Sequence, residues 1–162
     1  MATSAPSQAE LIQNPVFGAT LMWRFGLGYQ ERSLSEPPTL PLFFIVLPVC
    51  IHAETIQEVL STRKSSGLAL FAAKVGEVRE DLLAIHERAL RLRDLTLESI
   101  GLAVQYRWLT ADYSKAELRA NQSRGPTPGE RIKPMWDAAE KFGYWCAGAG
   151  LKQTTLLLQM AF

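Results

Sequence analysis

Two histidines, His52 and His86, are the only side chains in this sequence whose ordinary pKa lets them exchange protons near neutral pH. His52 follows Cys50 at C-x-H spacing, which supplies two metal donors. A tetrahedral zinc site needs a second pair, and neither that pair nor a suitably spaced carboxylate is found. No Gly-rich loop ends in GK[ST], and Gly26-Leu27-Gly28 lacks the preceding strand and third glycine of a dinucleotide fingerprint. A G-x-S-x-G elbow is absent as well. The inventory therefore predicts a chain that is not an enzyme, with no catalytic residue, no cofactor and no metal. Both cysteines, Cys50 and Cys146, are expected to pack as small hydrophobes, and His86 as a satisfied, partly buried histidine.

Ionic chemistry remains. In Thr62-Arg63-Lys64-Ser65-Ser66-Gly67 two cations stand among three hydroxyls, suited to a phosphate or to the acidic surface of another protein, or else to a solvated turn. Lys115, Arg119, Arg124, Arg131 and Lys133 form a second group, able to make salt-sensitive contacts with a DNA backbone or to dock on an acidic coiled coil. Arg63, Lys64 and these five are the candidate contact residues. Seventeen basic and sixteen acidic side chains leave a net charge of +1, so any such contact is local and no global field recruits nucleic acid or an anionic membrane.

The elements that must position these groups are mostly helices. A length of 162 residues suits one domain, and 48% hydrophobic residues argue against disorder and leave apolar surface for a partner. Residues 1–13 are expected to be flexible. Asn14-Pro15 then starts a helix, apolar nearly all round, whose end Gly26 and Gly28 loosen. The apolar run Leu40 to Ile51 is too short to span a bilayer. Pro41 and Pro48 weigh against a central strand and favour a core helix. A short helix follows over Glu54 to Ser61, and a further helical turn over Leu68 to Val75.

Residues 78–93 carry an amphipathic helix with Val78, Leu82, Ile85, Ala89 and Leu92 on one stripe, acids at its start and arginines at its end. Asp94 or Thr96 caps the next helix, whose Leu97, Ile100, Gly101 and Val104 share a face. Two strand-like pieces, Arg107 to Ala111 and Lys115 to Ala120, flank an Asp112-Tyr113-Ser114 turn. The expected fold is mainly α, a helical domain with a winged-helix-like element (helix, helix, β-hairpin) and C-terminal helices. Its parts are a helical lobe over 14–76, the winged-helix-like element over 77–120, a basic Pro/Gly-rich loop over 121–133, and helices over 134–162, together one domain from 14 to 162. In the last part, Pro134 opens a helix that Gly148 and Gly150 end. The second helix of the element, expected from Asp94 to Gln105, carries Asp94 and Glu98 and no Lys or Arg, which disfavours base reading and favours binding of protein.

Several segments, taken in order, carry a resemblance. They are Asn14-Pro15 with its apolar helix, LPLFFIVLPVCIH, TRKSSGL, LRDLTLES with its hairpin, and AAEKFGYWCAG with a terminal Phe162. Together they resemble the middle component of three-component ABC ATPase systems, and are similar to the small accessory subunit of Lamassu-type anti-phage defence. The resemblance implies a cytoplasmic, non-catalytic subunit that docks on an SMC-like ABC ATPase, alongside an effector such as a nuclease. It implies double-stranded DNA as a ligand of the complex and no membrane. It transfers no site residue. The alternative is a stand-alone winged-helix DNA-binding regulator.

Overall fold

The computed structural model describes residues 7–77 and 79–161. Val78, expected on the amphipathic stripe, and Phe162 lie outside the described residues. The described chain is mainly helical, with one small hairpin. Helix α1 (Gln8–Ile12) sits within the segment expected to be flexible. Its ends explain the difference, since Ser7 and Glu10 form a reciprocal capping box and Leu11 is buried.

Helix α2 (Pro15–Arg32) is the axis of the fold. Asn14 caps it as expected, its Oδ1 accepting from the Val16 N–H at 2.9 Å and the Phe17 N–H at 3.4 Å. The helix runs on past Gly26 and Gly28, which do not loosen it. A Cβ at Gly28 would meet the Glu140 backbone of helix α8 (Lys133–Leu157), and one at Gly143 of α8 would meet the Phe25 backbone of α2. Each helix thus places a glycine where the other's main chain passes closest, and the two pack along much of their length.

Helix α3 (Leu40–Cys50) is the expected core helix, with Pro41 in its first turn, where a missing N–H costs least, and Pro48 inside it, near its end. Leu42, Phe43, Ile45, Val46, Leu47 and Val49 are buried. Among the described residues no single helix is long and apolar enough to cross a membrane, and α3 meets α4 (Ala53–Ser61) at a bend of 102°. A 3₁₀ turn (Lys64–Ser66) and α5 (Gly67–Val75) follow.

Helix α6 (Arg79–Arg91) buries Leu82, Ile85 and Ala89 on the expected stripe. Helix α7 (Arg93–Gln105) differs from expectation in two ways. Leu92 occupies its N-cap position without a side-chain bond, so neither Asp94 nor Thr96 caps it. Its core face is Thr96, Ser99, Ile100 and Ala103, packed on α2, while Leu97 and Gly101 of the expected apolar face are exposed. Gly18 admits this contact, because a Cβ there would overlap the Ser99 hydroxyl.

Strands β1 (Leu109–Asp112) and β2 (Glu117–Ala120) form the expected antiparallel hairpin, with Leu109 opposite Ala120 and Asp112 opposite Glu117. The outer edge of β2 is covered. The Leu118 N–H donates to the Pro38 carbonyl at 3.1 Å, and the Ala116 carbonyl accepts from Leu40 N–H at 2.8 Å. The Gln30 side chain then brackets Ala120, accepting from its N–H at 2.7 Å and donating to its carbonyl at 3.0 Å. The hairpin is therefore fastened to α2. After the 121–133 loop, the first helical stretch of α8 ends at Gly150 (φ 77°, ψ 168°), as the sequence predicts, and a second stretch continues past this kink to Leu157.

Candidate docking surfaces

The basic knot is tied into the protein. Lys64 Nζ lies 2.8 Å from Glu31 Oε1 and 4.4 Å from the centroid of the Tyr144 ring, and its carbonyl accepts from Trp145 Nε1 at 2.9 Å. Lys74 Nζ donates to the Thr62 hydroxyl at 3.0 Å. Lys141, which sequence reasoning missed, reaches across from α8 and donates to the carbonyls of Val59, Leu60 and Thr62 at 3.1, 3.2 and 2.9 Å. These are carbonyls left open at the end of α4, where a cation is favoured. Burial pushes the Lys141 amine below the usual lysine range. Arg63 is exposed, and among the described residues its guanidinium makes no ion pair or side-chain hydrogen bond.

The other five cations do not act as one group. Arg119 Nη1 donates to the Ser35 carbonyl at 2.6 Å, and Lys133 Nζ pairs with Asp137 Oδ2 at 2.9 Å one turn along α8. Lys115 sits exposed in the hairpin turn, and Arg124 and Arg131 are exposed in the loop. That loop lies against an aromatic cluster. Trp23 stacks on Trp108 at 6.0 Å and meets Trp136 edge-on at 6.0 Å, with Arg24 above both Trp23 and Trp136 and paired with Glu140. All seven candidates are exposed, but Lys64, Arg119 and Lys133 have intramolecular partners.

Cys50 and Cys146 are fully buried, and burial raises both thiols far above the ordinary cysteine value. His52 instead lines a cleft of about 240 Å³ with Glu54, Glu58, Lys74, Asp81 and Arg88, so the C-x-H spacing does not converge. Burial, and then the Arg88 charge, lower the His52 pKa. Arg88 Nε donates to the Pro48 carbonyl at 3.2 Å, fixing α6 to the end of α3. Among the described residues no three His, Cys, Asp or Glu side chains come together to hold a metal ion.

A groove of about 400 Å³ runs between α7 and the hairpin, lined by Leu97, Ile100, Gly101 and Val104 on one side and Ala111 and Leu118 on the other. Its rim is acidic. Asp112 and Glu117 face each other across the strands, and Asp94 and Glu98 are exposed on α7. Hydrogen bonds from the Ser114 hydroxyl and the Lys115 N–H hold the Asp112 carboxyl below its usual range. Tyr113, 89% exposed, stands at the turn. The groove is legible only in part from sequence. Its α7 stripe was visible, but that Ile100 joins the core while Leu97 and Gly101 stay exposed was not.

Fold and surfaces together define a mainly helical protein with a helix–helix–hairpin unit fixed to a central helical pair. Residues 2–162 match the family model of the ABC-three component (ABC-3C) system Middle Component 3, and the chain belongs to that family. No curated protein and no solved structure matches it. Membership makes it one component of a multi-part ABC system, which implies partner components.

Proposed function

We propose that this chain is a non-catalytic accessory subunit, similar to that of Lamassu-type anti-phage defence, which docks on an SMC-like ABC ATPase in the cytoplasm. In this reading it couples sensing of foreign DNA by the ATPase to control of a separate effector such as a nuclease, and α6, α7 and the hairpin act as a winged-helix-like docking unit. The observation that carries the reading is the family match over nearly the whole chain, since a middle component works through its partners. The surface chemistry agrees with it. Both thiols are buried, and the candidate cations do not converge on one site, while α7 lines an apolar groove. The alternative, a stand-alone DNA-binding regulator, meets an α7 that exposes Asp94 and Glu98, which repel phosphates.

The test is a tagged pull-down of the chain expressed with its neighbouring genes, followed by mass analysis of the complex. Recovery of a coiled-coil ATPase at fixed stoichiometry is the expected result. A soluble homodimer that binds one short duplex and retains no partner overturns the proposal.

A further inference from the structure

Three independent features of the α7–hairpin groove need an explanation that this chain alone does not supply. The first is the stripe of Leu97, Ile100, Gly101 and Val104. α7 already meets the core with Thr96, Ser99, Ile100 and Ala103, and Val104 is half-buried against it, so of this stripe Leu97 and Gly101 are surplus to folding. Leu97 is 45% exposed. The second is Gly101. A mid-helix glycine is less stable than alanine, and here no atom stands within 4 Å of the place a Cβ would occupy, so no internal close approach requires it. By contrast, Gly18, Gly28 and Gly143 each have a backbone or side chain pressed against that place. The third is the rim, where two carboxylates, Asp112 and Glu117, sit directly opposite each other, a cross-strand pair that like charge disfavours even though the turn hydrogen bonds and the Lys115 charge steady Asp112.

We propose that this groove is the docking site for an amphipathic α-helix of another component of the ABC system, with an apolar stripe flanked by Lys and Arg. The inference rests on the accessory-subunit reading and gives it a surface. From Leu97 to Val104 the groove runs for roughly 10 Å at 1.5 Å per residue, which takes about two turns of a helix. Gly101 lets that helix's main chain come close, and the leucines fill its stripe. Asp112 and Glu117, which line the hairpin side, meet its cations, and Asp94 and Glu98 are exposed on α7 three residues before Leu97 and Gly101. Arg93, at the start of α7, lines a different cavity, and Lys115 sits in the turn beyond the groove, so the rim is predominantly acidic. The same carboxylates disfavour the other occupants. A second copy related by a two-fold axis would set acid against acid, and nucleic acid would bring phosphates to the rim.

Gly101→Leu and the double variant E98K/E117K separate docking from folding. The space at Gly101 is open and leucine is a better helix former, so Gly101→Leu should melt at or above the wild-type temperature. Binding to the co-expressed ATPase and effector components, measured by titration with the purified proteins, should weaken by about thirtyfold or more, the loss a central contact typically carries. The charge-reversed variant should also weaken, and should lose the salt sensitivity of the wild type. A photo-crosslinker in place of Tyr113 should capture a helical segment with basic flanks. If both variants bind like the wild type, the groove inference is wrong while the accessory-subunit reading stands. If the wild type binds neither component, both fall. If Gly101→Leu instead turns a homodimer into a monomer with partner binding unchanged, the occupant is a second copy and the proposal is overturned.

Discussion

Thr96 and Ser99 face the core of α7 with no exposed surface, and neither hydroxyl has a hydrogen-bond partner among the described residues. A buried hydroxyl without a partner costs about 1–3 kcal/mol in protein mutational data, so removing it while keeping its shape is stabilising. Thr96→Val is expected to stabilise the protein by about 1 kcal/mol, which raises Tm by about 2–4 °C for a chain of this size. Calorimetry checks this, and an unchanged or lower Tm would show that the hydroxyl is satisfied after all. The candidate cations illustrate the limit of residue-level reading. Their types were legible and their engagement was not, because Glu31, Ser35 and Tyr144 come to Lys64 and Arg119 only through the fold.

At the scale of elements, α2 and α8 depend on Gly28 and Gly143. A methyl group at residue 143 would press on the Phe25 carbonyl and lie 2.9 Å from the Tyr29 nitrogen, so backbone has to move. Gly143→Ala should therefore destabilise by about 2–3 kcal/mol despite its better helix propensity. Urea unfolding reads this directly, and a gain in stability would refute the close packing. Helix starts were legible where a local signal fixes them, as at Asn14-Pro15 and Pro134, and so was the hairpin around Asp112-Tyr113-Ser114. The capping box at Ser7 and Glu10 is equally local, but it lies in a small, polar stretch with little apolar periodicity to mark a helix. The face α7 turns to the core was not legible, because Thr96 and Ser99 are polar and only the nearness of α2 at Gly18 buries them. The groove followed the same rule: its apolar stripe could be read, but not that Leu97 and Gly101 of it stay exposed.

For the molecule as a whole, Cys50 and Cys146 report on global opening. Both are fully buried in the core built by α3 and α8 and hold their protons, so a thiol reagent reaches them only when that core opens. Labelling with an aromatic disulfide is expected to proceed slowly, with both thiols at one rate, and to speed up in parallel with loss of helical signal in urea. Fast reaction of either thiol in native buffer would mean that the core opens locally around it. The attachment of the hairpin has a mechanical consequence at this scale. Because the Gln30 amide clasps Ala120 from both sides and residues 38–40 close the edge of β2, the hairpin and the central helix behave as one stiff part. A pull on the hairpin tip is then borne by α2 and the α8 helix packed along it, in the middle of the molecule, with no loose joint in between to absorb it.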